Sequence, residues 1–171
     1  MTASHLDMVL DQVDANDRVI GIVSRREVFT RKANFRVVHI LLSNARGQIL
    51  LQKIADGRRH SGQWGSSVAG YFRKGETRAS AARRKLREEL DIDASTLAWV
   101  GKTSMVDEGA VKFIYVATVT YDRPLRMKPD HASGLEFLSS GEIAEIRERG
   151  SRPFTSTFIH VLDFYLRQRR R

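Results

Sequence analysis

The sequence contains no cysteine among its 171 residues. Disulfides, thiolate metal sites and cysteine nucleophiles are therefore excluded together, and any bound metal must be held by oxygen or imidazole ligands. Oxygen ligands favour hard cations such as Mg²⁺. The chain also lacks an apolar run as long as a membrane span, and Asp7 interrupts the N-terminal stretch where a signal peptide would be apolar. We therefore expect a cytoplasmic protein without a membrane partner.

Proline is scarce, with three residues in the chain, and two of them, Pro124 and Pro129, lie in the same segment. That segment, residues 121–133, is the only long candidate loop. The chain is 42% hydrophobic, so its length suffices for one well-filled core but is too short for two independent cores. We expect a single domain that spans residues 1–171.

Positive charge is in excess, and the formal net charge is +9. Such a surplus attracts nucleotides, phosphates or RNA, although ordinary solvated surfaces also produce it. Part of the excess lies in a C-terminal run: Arg167, Arg169, Arg170 and Arg171. This run reads equally well as a frayed helix end, so RNA remains an open partner.

Short apolar segments separated by turn residues predict a sheet in the first half of the chain. Residues 1–32 are expected to form a hairpin and then a short helix, which would begin at a capping box made by Ser24 and Glu27. Residues 35–42 and 48–54 flank a turn and predict a second hairpin. His39, in the middle of the first of these two strands, is interpreted as a core or cross-strand residue rather than a ligand.

The rest of the chain alternates between the two kinds of element. Further strands are predicted at residues 66–72, 97–103, 111–120 and 135–138. Helices are predicted at residues 78–90, 141–149 and 155–167, the last within a C-terminal segment, 153–171, that has a basic end. The predicted fold class is α/β (α+β), a mixed β-sheet between helices. Trp64 and Trp99 are interpreted as core anchors.

The segment 70–92 carries the clearest functional pattern. Seven of its positions have a defined spacing: Gly70, Glu76, Arg84, Leu86, Glu88, Glu89 and Ile92. The segment resembles the Nudix signature G-x5-E-x7-R-E-U-x-E-E-x-G-U, where U is a bulky aliphatic residue, at seven of its nine defined positions. The stretches DRVIGIVSRREVF and SGQW are similar to the branch of this family that contains isopentenyl-diphosphate isomerases. The resemblance implies the Nudix fold.

The resemblance also implies a site. Metal ligands would be Glu88, Glu89 and the backbone carbonyl of Gly70, holding Mg²⁺ or Mn²⁺, which bridges phosphate oxygens and activates a water. Glu88 and Glu89 would be catalytic, together with Glu136. Asp107 and Glu108 are, like Glu136, possible bases or substitute metal ligands. Independently of the resemblance, the glycine-containing loop at residues 56–60 could present Arg58 and Arg59 to a substrate phosphate. Arg84 is a third substrate-binding candidate, and it would also pair with Glu76.

Two positions depart from the signature. Lys85 stands where the family has the first of its paired glutamates, and Asp91 stands where it has the closing glycine. The first change turns a three-carboxylate site of charge −3 into one lysine and two glutamates, with charge −1. Because Lys85 lies three and four residues before the glutamates, its ammonium group can pair with either carboxylate. We expect weaker Mg²⁺ binding.

Three functions follow from this interpretation. The leading hypothesis is a Nudix hydrolase, MutT-like, that cleaves a diphosphate linkage in a nucleoside diphosphate derivative with reduced activity. The alternative is an inactive Nudix module that binds a nucleotide, a phosphorylated ligand or RNA. Isopentenyl-diphosphate isomerisation would need a cysteine where Ala69 stands, and we regard it as excluded. A homodimer stays open, because Nudix relatives are often dimers.

Overall fold

The computed structural model describes residues 5–94 and 96–171. Residues 1–4 and 95, which belong to the predicted domain, lie outside this part of the chain. Within the described residues, the strands are β1 (Val9–Val13), β2 (Val19–Ser24), β3 (Phe35–Ser43), β4 (Ile49–Ile54), β5 (Trp64–Gly65), β6 (Val68–Tyr71), β7 (Ala98–Asp107), β8 (Ala110–Thr120) and β9 (Ala132–Leu138). The α-helices are α1 (Arg78–Leu90), α2 (Ser140–Arg149) and α3 (Ser156–Arg169), and a short 3-10 helix covers His5–Asp7.

Seven strands form one mixed sheet in the order β5-β4-β3-β8-β7, with β6 paired to β3 and β9 paired to β4. β3 and β8 run parallel, and Phe35 lies beside Lys112. The other pairs in this sheet are antiparallel. β1 and β2 form a separate hairpin, as predicted.

The sheet has a hydrophobic core on each face. Along β3, Val37 and Leu41 belong to the core that includes Phe158 of α3. The intervening residues Val38 and Ile40 belong to the core beneath α1. Side chains alternate between the two faces of a strand, so this central strand is buried on both sides. The predicted fold class, a mixed sheet between helices, is confirmed.

The second predicted hairpin is wrong in its pairing. β3 and β4 share only the pair Ser43 and Ile49, next to the turn that Gly47 completes with a φ of 75°. Beyond that turn the strands take other neighbours, because β6 and β8 pair with β3 while β5 and β9 pair with β4. Because β3 and β4 separate beyond the turn, β6 lies beside β3 beneath the cavity described below.

The helix predicted after β2 is also wrong. Residues 25–32 form hydrogen-bonded turns instead. A capping box needs each side chain to bond a backbone N–H group, but here the Ser24 hydroxyl donates to the Glu27 carboxylate at 2.6 Å. The proton of the Ser24 hydroxyl is therefore used on the Glu27 side chain.

The signature helix α1 begins and ends with local caps. Thr77 accepts a hydrogen bond from the backbone N–H of Ser80, and the Ser80 hydroxyl accepts one from the backbone of Thr77. At the other end Asp91 adopts the left-handed conformation, with φ 57° and ψ 34°. Aspartate tolerates this region better than most residues, so Asp91 performs the backbone role of the signature glycine. Among the described helices, none is long and apolar enough to cross a membrane.

Asp17 holds the turn of the first hairpin against the main sheet. Its buried carboxylate accepts hydrogen bonds from Arg36 at 2.6 Å, Lys102 at 2.9 Å and the Tyr115 hydroxyl. Burial raises the pKa of Asp17, but the bonds from Tyr115, Arg36 and Lys102 outweigh burial and hold that pKa below its ordinary value. The charged carboxylate is therefore part of the fold.

Replacing Asp17 with asparagine is expected to lower the free energy of unfolding by about 2 kcal/mol, since hydrogen bonds to a charged group are lost. Asparagine keeps the positive φ of 63°, so the change isolates the charge. Because the folded-state pKa is lowered, the stabilisation exists above pH 4 and disappears as pH falls through the folded-state pKa. Urea denaturation of both proteins from pH 7 to pH 3 measures the difference, and a gap that does not narrow in acid would contradict this role.

Candidate functional site

α1 directs three charged side chains toward β6. Leu86 and Ala82 are fully buried against the sheet, which fixes the rotation of the helix. Side chains three and four residues apart share a helix face, so Lys85, Glu88 and Glu89 converge. Lys85 is only 8% exposed and Glu89 only 7%.

The ammonium group of Lys85 lies between the two glutamates. Its Nζ atom is 2.8 Å from Glu89 Oε1 and 3.4 Å from Glu88 Oε2. The aliphatic part of Lys85 crosses the Cα of Gly70, where an added Cβ would lie 2.3 Å from the lysine Cε. Glycine is therefore needed at position 70 for the lysine to reach this place.

The remaining carboxylate oxygens also face nitrogen donors. Gln52 Nε2 donates to Glu89 Oε2 at 2.9 Å. Arg73 donates to Glu88 Oε1 at 3.0 Å, and Arg84 donates to Glu88 Oε2 at 3.1 Å. Each of the four oxygens of the predicted metal-binding glutamates thus accepts a hydrogen bond or ion pair from a nitrogen atom.

This donor set does not fit a resident Mg²⁺ ion. Hard cations require several oxygen ligands with little competing positive charge, whereas every carboxylate oxygen here already faces an ammonium, guanidinium or amide nitrogen. The described residues contain no group of three or more histidine, aspartate or glutamate side chains that could hold a metal. Lys85 supplies a fixed positive charge beside both glutamates instead.

Arg84 joins α1 to the loop before it. Its guanidinium donates to both oxygens of Glu76, at 2.6 and 2.9 Å, and to the Tyr71 carbonyl at 2.8 Å. Two parallel bonds of this kind fix orientation as well as distance. The pairing of Glu76 with Arg84 that the family resemblance implied is therefore present.

A cavity of about 490 Å³ opens beside these residues. Glu88 and Glu89 are the carboxylates among its lining residues. The cationic side chains that line it are Arg25, Arg58, Arg59, Arg73, Arg84, Lys85 and Lys112. Two carboxylates in the lining and three that pair with lining cations, Glu76, Asp107 and Glu108, oppose these seven positive charges. The remaining excess of two favours an anionic ligand.

The predicted substrate-binding arginines have different surroundings. Arg59 lies over the Phe29 ring at 4.2 Å and pairs with Asp107 and Glu108, each at 2.8 Å. Arg58 donates to the Asp130 carbonyl and has no carboxylate partner among the described residues. The charge of Arg58 is therefore available to a ligand, whereas that of Arg59 is matched.

Three carboxylates proposed as bases lie in ion pairs. Asp107 pairs with Arg59 and with Lys112, whose Nζ is 2.8 Å away, and Arg59 holds the pKa of Asp107 well below its usual range. Glu108 also pairs with Arg59. Glu136, on β9, pairs with Arg152 at 2.5 Å and is not among the residues that line the cavity.

Arg25 lines the cavity although the sequence interpretation assigned it no function. It follows β2, and its guanidinium lies 4.2 Å from the centre of the Tyr71 ring and 5.6 Å from that of Phe29. No carboxylate partner is found for it in the described ranges. The signal available in the sequence was its place in the segment DRVIGIVSRREVF, which resembles the isomerase branch.

The comparisons with known proteins point to one family. The NUDIX domain profile matches residues 33–158. An isopentenyl-diphosphate Delta-isomerase of Streptomyces avermitilis is 30% identical over 164 residues, which cover 91% of this chain and 82% of that protein. A Nudix hydrolase of Pseudomonas aeruginosa is 30% identical over 155 residues, with 90% of each protein covered.

Solved structures show the same fold. A crystal structure from Deinococcus radiodurans superposes with a TM-score of 0.78 at 26% identity, covering 92% of this chain and 99% of that one. The NUDIX domain of a Shewanella oneidensis protein, solved with ADP ribose, has a TM-score of 0.62 at 15% identity and covers 87% and 100% of the two chains. The second likeness concerns the fold alone.

The contact between Gly70 and Lys85 generates a test. Gly70→Ala should displace Lys85 from Glu89 and lower the free energy of unfolding by about 1 kcal/mol or more, as overpacking does. Shortening the lysine in the double variant Gly70→Ala with Lys85→Ala should make the alanine at position 70 less harmful than it is alone. Gly21→Ala is the control, because its added Cβ would meet no atom closer than 3.9 Å. Strict additivity in thermal melts would contradict the contact.

Proposed function

The chain belongs to the Nudix family, and we propose that its cavity binds a nucleoside diphosphate derivative and hydrolyses the diphosphate linkage slowly. Family membership itself supports a hydrolase of the pyrophosphohydrolase type. The observation that carries the proposal is Lys85, whose ammonium group lies between the two signature glutamates in a cavity with excess positive charge.

The cationic lining supports binding of the diphosphate. Arg25 and Arg58 have no carboxylate partner in the described part of the chain, so a ligand can claim their charge without breaking an ion pair. Lys85 has three N–H donors and uses two on Glu88 and Glu89, which leaves one for a phosphate oxygen. We propose these three side chains as the main phosphate contacts, with Arg84 positioning the loop that surrounds them.

Slow turnover follows from the state of the glutamates. A base or a metal ligand acts through a carboxylate oxygen, and every oxygen of Glu88 and Glu89 already faces Lys85, Arg73, Arg84 or Gln52. Burial raises the pKa of Glu88, but Lys85 and Arg84 lower it by more, so the carboxylate is a weak base. Glu88 and Glu89 remain the proposed catalytic groups, and the expected Mg²⁺ or Mn²⁺ would have to compete with Lys85.

The nucleoside part of the proposed ligand rests on two observations. A cavity of about 490 Å³ is of the size that accepts a complete small-molecule ligand, which is more than a diphosphate needs. The Shewanella oneidensis domain of the same fold was solved with ADP ribose, a diphosphate joined to a nucleoside. The class of ligand is proposed on this basis, and residues 1–171 are proposed to act as one domain.

One observation favours binding without turnover as the second candidate. With all four glutamate oxygens matched by nitrogen donors, the cavity is complete as a binding site but lacks an unmatched carboxylate for catalysis. Isomerisation is not proposed, although several relatives carry that name, because Ala69 stands where the isomerase resemblance requires cysteine. Ala69 lies beside His39 in the sheet and lines the cavity.

Lys85→Glu separates the two candidates. The variant restores three carboxylates to the helix face, and the hydrolysis rate of ADP or ADP ribose with Mg²⁺ is expected to rise about tenfold or more, which corresponds to about 1.4 kcal/mol in the barrier. Release of phosphate or nucleotide measured by chromatography reports the rate.

Arg83→Glu is the matched control, because Arg83 is exposed on the same helix and the net charge changes equally. Its rate should stay at the wild-type level, and Glu89→Gln added to Lys85→Glu should abolish the gain. Wild-type turnover at ordinary enzyme rates would refute the proposed restraint by Lys85. Nucleotide binding without hydrolysis in both wild type and Lys85→Glu would favour the binding module.

A further inference from the structure

A second set of polar side chains borders the cavity and lies outside the signature segment 70–92. We call it the His39 subsite and define it by His39 on β3, Ser66 between β5 and β6, Lys112 on β8 and Thr157 on α3. None of these residues belongs to the Nudix signature, and the proposed hydrolysis does not use them.

His39 has an unused hydrogen-bonding atom. The residue is only 7% exposed, and its Nδ1 atom lies 2.8 Å from the Ser66 hydroxyl. Nε2 has no hydrogen-bond partner among the described residues. Every side-chain nitrogen or oxygen atom that is fully buried in those residues does have a hydrogen-bond partner. The Nε2 atom is therefore not fully enclosed, and the cavity that His39 lines gives a ligand access to it.

The imidazole of His39 is neutral. Burial, with smaller effects from Lys112 and His160, lowers the pKa of His39 to about 3. The Ser66 hydroxyl can donate or accept, so it is compatible with either ring tautomer. Nε2 can thus donate a hydrogen bond to an uncharged group or accept one from it.

Lys112 and Thr157 add donors without adding net charge. Lys112 is 7% exposed, and its Nζ donates to Asp107 at 2.8 Å and to the Thr157 hydroxyl at 2.7 Å. One ammonium proton and the Thr157 hydroxyl proton remain. Asp107 and Glu108 match the charges of Lys112 and Arg59, so this part of the cavity is rich in donors but close to neutral.

The cavity therefore has two chemically different parts. Arg25 and Arg58 offer unmatched positive charge to an anion and Lys85 adds an N–H donor, whereas the His39 subsite offers hydrogen bonds from groups whose charge is absent or matched. A diphosphate gains more from the first part, because unmatched cations attract it most strongly. An uncharged group with carbonyl or ring-nitrogen acceptors fits the second part, since buried polar groups discriminate by whether the ligand satisfies them.

We propose that the His39 subsite recognises the uncharged, acceptor-bearing group of the ligand, of which the edge of a nucleobase is the representative class. This inference rests on the proposed function, because it needs the diphosphate to occupy the cationic part of the same cavity. His39 is here a specificity-determining residue rather than the core residue that the sequence suggested.

Calorimetric titration of ADP, UDP and inorganic diphosphate into wild type and His39→Leu tests the inference. The wild type is expected to bind at least one of the two nucleotides more tightly than inorganic diphosphate. His39→Leu should weaken that nucleotide about tenfold, the effect of one hydrogen bond to a buried group. Its affinity for inorganic diphosphate should change less than twofold.

Two further variants serve as controls for this test. His160→Leu removes a histidine that bonds Thr103 and is not among the residues that line the cavity, and it should leave the affinities for all three probes unchanged. His39→Gln keeps a donor and an acceptor, so it should lose less nucleotide affinity than His39→Leu, and it provides a folded comparison if leucine disturbs the core.

The outcomes separate the inference from the function on which it rests. Equal affinities of the wild type for nucleotide and inorganic diphosphate, or an equal loss of both in His39→Leu, would overturn the recognition role while leaving the proposed function intact. An unchanged nucleotide affinity in His39→Leu would overturn it as well. A wild type that binds none of the three probes would contradict the proposed function and, with it, the inference.

Discussion

The position of one ammonium group sets the electrostatic surroundings of the two signature glutamates. Burying a charge costs several kcal/mol unless a partner compensates for it, and Lys85 is compensated by Glu89 at 2.8 Å and Glu88 at 3.4 Å. One ammonium offsets one of the two negative charges, and Arg73 and Arg84 pair with Glu88 as well. The side chain of the same lysine crosses Gly70. The ammonium group is therefore positioned both by Gly70, the first residue of the signature, and by helix α1. A charge inside the fold thus stands beside the family's metal-binding carboxylates.

The cation-rich cavity depends on contacts remote from the signature. Asp17 fastens the turn of the first hairpin to β3, β7 and β8 through Arg36, Lys102 and Tyr115. β2 then leads directly to Arg25, which stacks on Tyr71 at the cavity wall. The hairpin therefore contributes to the cavity wall as well as to the fold, because its anchored position brings to the cavity a guanidinium that has no carboxylate partner among the described residues.

Local signals in the sequence predicted α1 correctly. The apolar spacing gave residues 78–90, which match Arg78–Leu90, and Asp91 adopts the left-handed conformation expected of a residue that replaces glycine. Pairing partners could not be found in the same way. Much of β3 and β4 pairs with other strands, among them residues 68–71 and 132–138. The turn at residues 44–47 therefore predicted a hairpin whose two strands are paired only beside that turn.

The site was predictable where it follows helix spacing and was missed where distant elements meet. Lys85, Glu88 and Glu89 share a face because they are three and four residues apart. His39 is buried, as the sequence indicated, but the access to its Nε2 depends on β3, β6 and α3 enclosing one cavity. Ser24 and Glu27 match the pattern of a helix start, but their side chains bond each other. Because that pattern predicted a helix, the place of Arg25 at the cavity wall was not predicted.

Lys85 is proposed to take the place of a resident metal, and a calorimetric titration of Mg²⁺ and Mn²⁺ into the ligand-free protein tests this most directly. We predict no saturable heat up to millimolar metal, because each glutamate oxygen already faces a nitrogen donor. Saturable binding of one ion below millimolar concentration, abolished by Glu89→Gln, would contradict it.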